Sequence, residues 1–164
     1  HYKNIRPVWE DNVHNFGSTT LLLAHARSAF RDRDIRIENN MPFVSGDHVF
    51  LFNGELRGVR IREEGRTGAE KIFNFILRLH DGNMEDTLGR VLPVITKRSR
   101  YIRAFNSIIA DRDSAVLAAF HNEDADYFTM YERRLPGLLQ VCSEPYPGQP
   151  GWQPVPNQTI RKLL

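Results

Sequence analysis

The sequence predicts an α+β fold, with two layers of mostly antiparallel β-strands and helices beside them. Two apolar runs of strand length, residues 21–23 and 49–52, lie in the first third of the chain. Apolar side chains then recur at helical spacing over residues 69–95. After Tyr101 the period becomes that of extended chain. We therefore expect the early strands in one sheet, the later strands in another, and the helices covering one side.

The first half of the chain is predicted to hold two adjacent core strands, at residues 21–26 and 48–53. A polar loop, residues 31–40, would join them. Before them, residues 10–16 are predicted to form a short helix within an irregular segment.

Arg27 follows the first predicted strand and is a candidate binding residue. An arginine in such a place is more often a solvated surface charge. Its planar guanidinium would nevertheless suit bidentate binding of a carboxylate. The residue pattern leaves both interpretations open.

Asn53 and Gly54 end the second predicted strand, which would place them at a strand tip. Asn-Gly is the dipeptide that most readily forms a tight hairpin turn. A second interpretation is chemical, because an Asn side-chain amide beside an unhindered Gly N–H provides two adjacent donors. Such donors could form an oxyanion hole, which stabilises developing charge on a carbonyl oxygen.

Two helices are predicted in the middle of the chain. Thr67 and Glu70 fit a capping box at the start of the first helix, which should stop at Gly82. A catalytic role for Glu70 is the alternative to capping. The second helix is predicted over residues 85–98, and Pro93 should end or kink it.

An antiparallel meander of four strands is predicted in the second half, at residues 104–110, 115–120, 127–132 and 137–142. A last edge segment would follow at residues 152–160. Asp111 and Asp113 could ligate a metal, but a polar turn explains them without one. We therefore expect no metal and no cofactor.

Bulk properties favour one domain spanning residues 1–164, with net charge +2 and 41% hydrophobic residues. The mixed charge argues against a nucleic-acid partner, and no apolar stretch is long enough to span a membrane. Cys142 is the single cysteine, read as a structural thiol in a strand. Without disulfides or a secretory signal, the cytoplasm is the expected location.

Arginines are dense between residues 57 and 66. The four positions are Arg57, Arg60, Arg62 and Arg66. Nearby glutamates offset their charge, so this segment is predicted to be a solvated loop.

Five pieces of sequence, in order, resemble the glutaminase domain of class II glutamine amidotransferases, which are N-terminal-nucleophile hydrolases. The pieces are Leu23-Ala24-His25-Ala26-Arg27, Asn40-Met41-Pro42-Phe43, Phe52-Asn53-Gly54-Glu55-Leu56, Thr67-Gly68-Ala69-Glu70, and a later group from Phe105-Asn106 to Trp152-Gln153-Pro154. The resemblance implies an αββα sandwich. It also implies that Arg27 holds the α-carboxylate of glutamine and that Asn53 and Gly54 form the oxyanion hole.

Three departures from the family pattern qualify the resemblance. The family nucleophile is an N-terminal Cys, so we expect it, with the opening of the domain, upstream of His1. The chain would then be a fragment or one half of a split protein. The family Asp that binds the substrate amino group aligns with Gly68, and a His that commonly precedes Pro42 is replaced by Met41.

Two functions follow from this pattern. The first is hydrolysis of the glutamine side-chain amide to glutamate and ammonia, with ammonia passed to a synthase domain or subunit. The ligand would then be glutamine or a related amino acid. The alternative is a catalytically inactive relative that acts as a binding or regulatory subunit of a larger synthase complex. The absent carboxylate at Gly68 motivates this alternative.

Overall fold

The computed structural model describes residues 1–27 and 35–164, and it has a mixed α/β architecture with two antiparallel sheets and few helices. Residues 28–34, which include part of the predicted loop 31–40, lie outside the described residues. Among the described residues, no helix is long and apolar enough to cross a membrane.

The larger sheet has five strands in the order β1-β2-β3-β4-β8, all antiparallel to their neighbours. These strands are β1 (Phe43–Ser45), β2 (His48–Arg57), β3 (Tyr101–Ala110), β4 (Ala115–His121) and β8 (Thr159–Lys162). The smaller sheet has the order β6-β5-β7. Its strands are β5 (Tyr131–Leu135), β6 (Leu138–Cys142) and β7 (Gln153–Pro154).

The two predicted helices are present. The first is shorter than predicted, and the second is not ended by its proline. Helix α1 (Gly68–Arg78) begins where predicted, because the Thr67 hydroxyl accepts from the Glu70 N–H at 3.1 Å, but it ends before Gly82. Helix α2 (Met84–Arg98) runs through Pro93. Asn83 caps its start in the same way, accepting from the Asp86 N–H at 3.2 Å.

Short helices make up the rest of the helical structure in the described ranges. The predicted helix at residues 10–16 is replaced by two 3-10 segments, Val8–Glu10 and Val13–Phe16. Another 3-10 segment covers Ile37–Asn39. Helix α3 (Ala125–Phe128) follows β4.

The main apolar core lies between the larger sheet and the two long helices. Phe50 of β2 stacks on Phe73 of α1 with ring centroids 5.1 Å apart. Phe52 meets Phe105 of β3 edge to face at 5.2 Å. A smaller cluster joins the larger sheet to the smaller one, and its buried members are Leu117, Ala119, Met130 and Val155.

The prediction of a core strand at residues 21–26 is wrong. These residues have no regular structure, and Leu22 is 78% exposed. The neighbour of β2 is instead β1, which pairs through three residues, with Phe43 opposite Phe50. An apolar run becomes a strand only where another strand can pair with it, and that pairing is absent here.

The predicted four-stranded meander is also wrong as a single sheet. Its first two strands, β3 and β4, continue the sheet that contains β2. Helix α3 occupies the start of the third predicted strand, and β5 with β6 forms the separate smaller sheet. The predicted edge segment 152–160 is divided between β7 and β8, which join different sheets.

Candidate functional site

Asn53 and Gly54 lie within β2, which corrects their predicted place at a strand tip or hairpin turn. β2 stays paired with β3 as far as Arg57, and the register places Asn53 opposite Asn106. An irregularity in the pairing follows between Glu55 and Leu56. Asn53-Gly54 therefore does not form a turn, because pairing along the ten residues of β2 outweighs the local preference of the dipeptide.

Gly54 is required by close packing between strands. A Cβ atom at this position would lie 2.8 Å from the Ala104 carbonyl carbon and 2.8 Å from Cζ of Phe52. Contacts that short to backbone atoms do not occur without displacement of the strand. The glycine is thus explained by the approach of β3, whatever its chemical role.

The Asn53 side chain lies on the face of the sheet opposite α1 and α2. Phe50 and Phe52 point into the helix-facing core, so the alternation of side chains along β2 directs Asn53 to the other face. Asn53 is half-buried, and its side-chain amide has no hydrogen bond to the described residues. The amide is therefore free to bind a ligand.

The edge of β2 beyond Phe50 is covered by side chains instead of a strand. The Phe52 N–H donates to Sδ of Met41 at 3.1 Å. The His25 imidazole hydrogen-bonds to the Phe52 backbone on the same side. Because backbone groups alternate along a strand, the Gly54 N–H also points to this edge, away from β3.

His25 and Met41 are the site residues that sequence reasoning did not assign. Burial lowers the pKa of the His25 imidazole, the bond to Phe52 acts in the opposite direction, and the Arg27 charge lowers the pKa further. Met41 packs against the main core, and its sulfur also accepts a hydrogen bond. Hydrogen bonds between segments far apart in sequence leave no local signal.

Arg27 is exposed and is carried by the same segment as His25. The interaction of the His25 imidazole with the Phe52 backbone brings this segment beside the strand that carries Asn53 and Gly54. The segment that carries Arg27 therefore lies beside β2, the strand that carries Asn53 and Gly54.

Glu70 is engaged at the start of α1. Its carboxylate accepts from the Arg66 N–H at 2.6 Å and forms an ion pair with the Arg66 guanidinium at 2.5 Å. The hydrogen-bonding guanidinium lowers the pKa of Glu70. Gly68, by contrast, is exposed, and a Cβ atom there would meet nothing within 4 Å. Thr67 caps the helix as predicted, while the Glu70 carboxylate bonds to Arg66 instead of the Thr67 N–H, and Gly68 leaves space for a larger side chain.

The aspartates after β3 form a turn. The Asp111 carboxylate accepts from the backbone N–H groups of Asp113 at 2.9 Å and Ser114 at 2.7 Å. Within residues 1–27 and 35–164, no three His, Cys, Asp or Glu side chains are grouped so as to hold a metal. Cys142 is half-buried in β6, and burial raises the pKa of its thiol.

No protein-family model and no curated protein matches the chain. Several solved structures are similar. A glutamine aminotransferase class-II domain protein from Silicibacter pomeroyi matches with TM-score 0.68 and 17% identity, over 95% of this chain and 77% of its own. A predicted glutamine amidotransferase from Pseudomonas aeruginosa matches with TM-score 0.51 and 15% identity, over 77% of this chain and 62% of its own. At these identities the similarity concerns the fold, which is glutamine amidotransferase-like.

Proposed function

We propose that the chain is part of a cytoplasmic class II glutamine amidotransferase, with an αββα sandwich of the N-terminal-nucleophile type. It would hydrolyse the side-chain amide of glutamine to glutamate and ammonia, and a synthase domain or subunit would receive the ammonia. One observation carries this proposal. The Asn53 side-chain amide is free, it lies beside Gly54, and the segment that contains His25 contacts the same edge of β2. The fold shared with the two similar structures supports it.

In the proposed reaction, a Cys thiol upstream of His1 attacks the amide carbon of glutamine. The carbonyl oxygen becomes an oxyanion, which accepts hydrogen bonds from the Asn53 amide and the Gly54 N–H. The C–N bond breaks, ammonia leaves, and water then hydrolyses the thioester to release glutamate and the thiol. Arg27, which is exposed and two residues from His25, would hold the substrate α-carboxylate.

The second candidate is a non-catalytic binding or regulatory subunit, and Gly68 favours it. The first residue of α1 is exposed and carries no carboxylate, so one of the two charge contacts to an amino-acid substrate is missing. Such a subunit would keep the fold while it no longer turns over glutamine.

The test is ammonia release from glutamine by the complete protein. Activity is expected, and Asn53→Ala should lower kcat by about 10²–10³-fold because an oxyanion donor is lost. Asn74→Ala, on α1, is the matched control and should keep the wild-type rate. Gly68→Asp should lower the KM for glutamine, because open space at Gly68 accommodates the carboxylate.

Absence of ammonia release from the complete protein and from the Gly68→Asp variant would contradict the glutaminase proposal. Binding of a synthase partner that survives Asn53→Ala would then support the non-catalytic role. A wild-type rate in the Asn53→Ala variant of an active protein would contradict the oxyanion role of Asn53.

A further inference from the structure

An open groove lies where the end of α2 meets the segment that follows β2. It consists of two adjoining depressions of about 720 and 460 Å³, which share Arg60, Val94 and Arg98 in their walls. Six cationic side chains line it: Arg60, Arg62, Arg78, Lys97, Arg98 and Arg100. All six are exposed. Arg78 is paired with Glu63, and we call the site formed by the other five the basic groove.

The cations of the basic groove lack carboxylate partners. Every residue from Arg57 to the end of the chain is described. Over that range, every arginine other than the four of the basic groove forms an ion pair, Arg78 in the groove wall included, except Arg133, which hydrogen-bonds to two glutamines. Two nearby glutamates pair with arginines other than these five. Glu55 pairs with Arg57, and Glu63 pairs with Arg78 in the wall of the groove.

The backbone holds the walls of the groove together. The Arg60 N–H donates to the Arg98 carbonyl at 2.8 Å, and the Arg100 N–H donates to the Arg57 carbonyl at 3.1 Å. The negative end of the α2 dipole favours Lys97 and Arg98 at their positions. It does not explain why residues of another segment add Arg60 and Arg62 to the same groove. Like charges gathered without internal neutralisation create a positive potential that attracts an anion.

We propose that the basic groove binds a small phosphate ester of the nucleoside di- or triphosphate class. Arginine suits the recognition of phosphate because its donors form a fork, and several arginines can share one polyphosphate. Pro93 and Val94 add an apolar wall that could contact the base or sugar. The cations surround one groove instead of following a stripe, which favours a small ligand over a nucleic-acid backbone.

The proposed ligand site is separate from the proposed glutaminase chemistry. Neither Arg27 nor Asn53 nor Gly54 lines the groove. Binding can therefore be measured without any assay of glutamine turnover, and its failure would leave the function proposed above untouched.

The test is calorimetric binding of ATP and of inorganic triphosphate at about 0.1 M salt. Both should bind the wild-type protein, ATP more tightly. The double variant Arg60→Gln/Arg98→Gln should bind both at least about tenfold more weakly. Val94→Ser should weaken the binding of ATP and leave that of triphosphate unchanged. The matched control, Arg112→Gln/Arg134→Gln, removes two exposed, ion-paired arginines outside the groove and should bind as the wild type does.

Three results would overturn the proposal. The first is no binding of either ligand by the wild-type protein at about 1 mM. The second is equal weakening in the control variant, which would mean that net charge alone attracts the ligand. The third is a marked preference for a single-stranded oligonucleotide over ATP, which would assign the groove to nucleic acid.

Discussion

Two asparagines that face each other across β2 and β3 have opposite chemical situations. Asn106 is 1% exposed, and its side chain donates to the Phe128 carbonyl at 2.7 Å and accepts from the Phe120 N–H at 3.1 Å. Asn53 is half-buried, with an amide that is free among the described residues. A buried polar group with all its bonds made stabilises a fold, whereas a free one is available to a ligand.

This difference predicts unequal effects on stability. Asn106→Ala should lower the free energy of unfolding by about 1–3 kcal/mol, because the backbone partners at Phe120 and Phe128 lose a buried hydrogen bond. Asn53→Ala should change it by about 0.5 kcal/mol or less, because no bond is lost. Urea denaturation of both variants measures the two values. Equal losses would mean that Asn53 has a structural partner.

At the residue scale, sequence reasoning identified Asn53, Gly54 and Arg27 as candidates but placed the first two wrongly. The Asn-Gly dipeptide carries a turn signal, and the local sequence gives no information on the backbone of Ala104. That backbone comes within contact of Gly54 only through pairing with a strand about fifty residues later. The free state of the Asn53 amide likewise depends on residues that the dipeptide does not reveal.

At the scale of elements, α1 was predictable because its signals are local. Thr67 caps the helix and Glu70 reaches back, although to the Arg66 N–H and not to that of Thr67. Its apolar residues recur at helical spacing, and Ile72, Phe73 and Ile76 are buried. Helix α2 was equally visible, but Pro93 did not end it there. Packing of Leu88, Val91 and Ile95 in the main core outweighs the missing backbone donor.

The start of α1 should make stability depend on pH. The pKa of Glu70 is lower in the folded protein than its ordinary value of 4.5, because of the Arg66 guanidinium. The contact between Glu70 and Arg66 therefore contributes fully to the free energy of unfolding at pH values above 4.5. This contribution is lost as the pH falls through the folded pKa of Glu70. Glu70→Gln should cost about 1 kcal/mol or less at about pH 7, and less at an acid pH below the folded pKa of Glu70.

Denaturant unfolding of the wild-type protein and the variant at both pH values checks this expectation. Glu85→Gln is the matched control, since Glu85 also lies in the first turn of a helix but forms no ion pair in the described structure. Its effect should vary less with pH. A cost of Glu70→Gln that grows at acid pH would contradict the assigned sign.

At the scale of the whole molecule, the five-stranded sheet separates two apolar clusters of unequal size. The main core contains most of the buried side chains and includes both long helices. The smaller cluster has four buried members and connects the smaller sheet to β4. Sequence reasoning found β2, β3, β4 and β6 but missed β1, and it assigned the later strands to one sheet, because sheet membership depends on pairing between distant segments.

The site and the basic groove show the same dependence on long-range structure. His25 reaches Phe52 across a segment of 26 intervening residues, and Arg60 is bonded to Arg98 across 37. Composition predicted a solvated, neutralised loop at the arginine-rich segment. The ion pairs of Glu55 and Glu63 with other arginines leave Arg60 and Arg62 without a partner. Arg57 and Arg66 of the same segment do pair with nearby glutamates, so proximity in sequence alone does not show which charges are neutralised.

The unequal clusters predict that the smaller sheet opens more easily than the larger one. Side chains of β5 and β6 are half-buried or exposed, whereas those of β3 and β4 are largely buried. The free energy of opening measured by amide hydrogen exchange should therefore be lower for β5 and β6 than for β3 and β4. Native-state hydrogen exchange followed by NMR measures both sets.

Val155→Ala sharpens this test, because Val155 is 3% exposed and belongs to the smaller cluster. The variant should lower the opening free energy of β5 and β6 by about 1–3 kcal/mol and leave that of the α1 amides nearly unchanged. Val91→Ala in the main core is the matched control and should lower protection in both sheets, since unfolding of the main core removes the surface on which the smaller sheet rests. Equal opening free energies for β3 and β5 in the wild-type protein would instead show that the two sheets unfold as one cooperative unit.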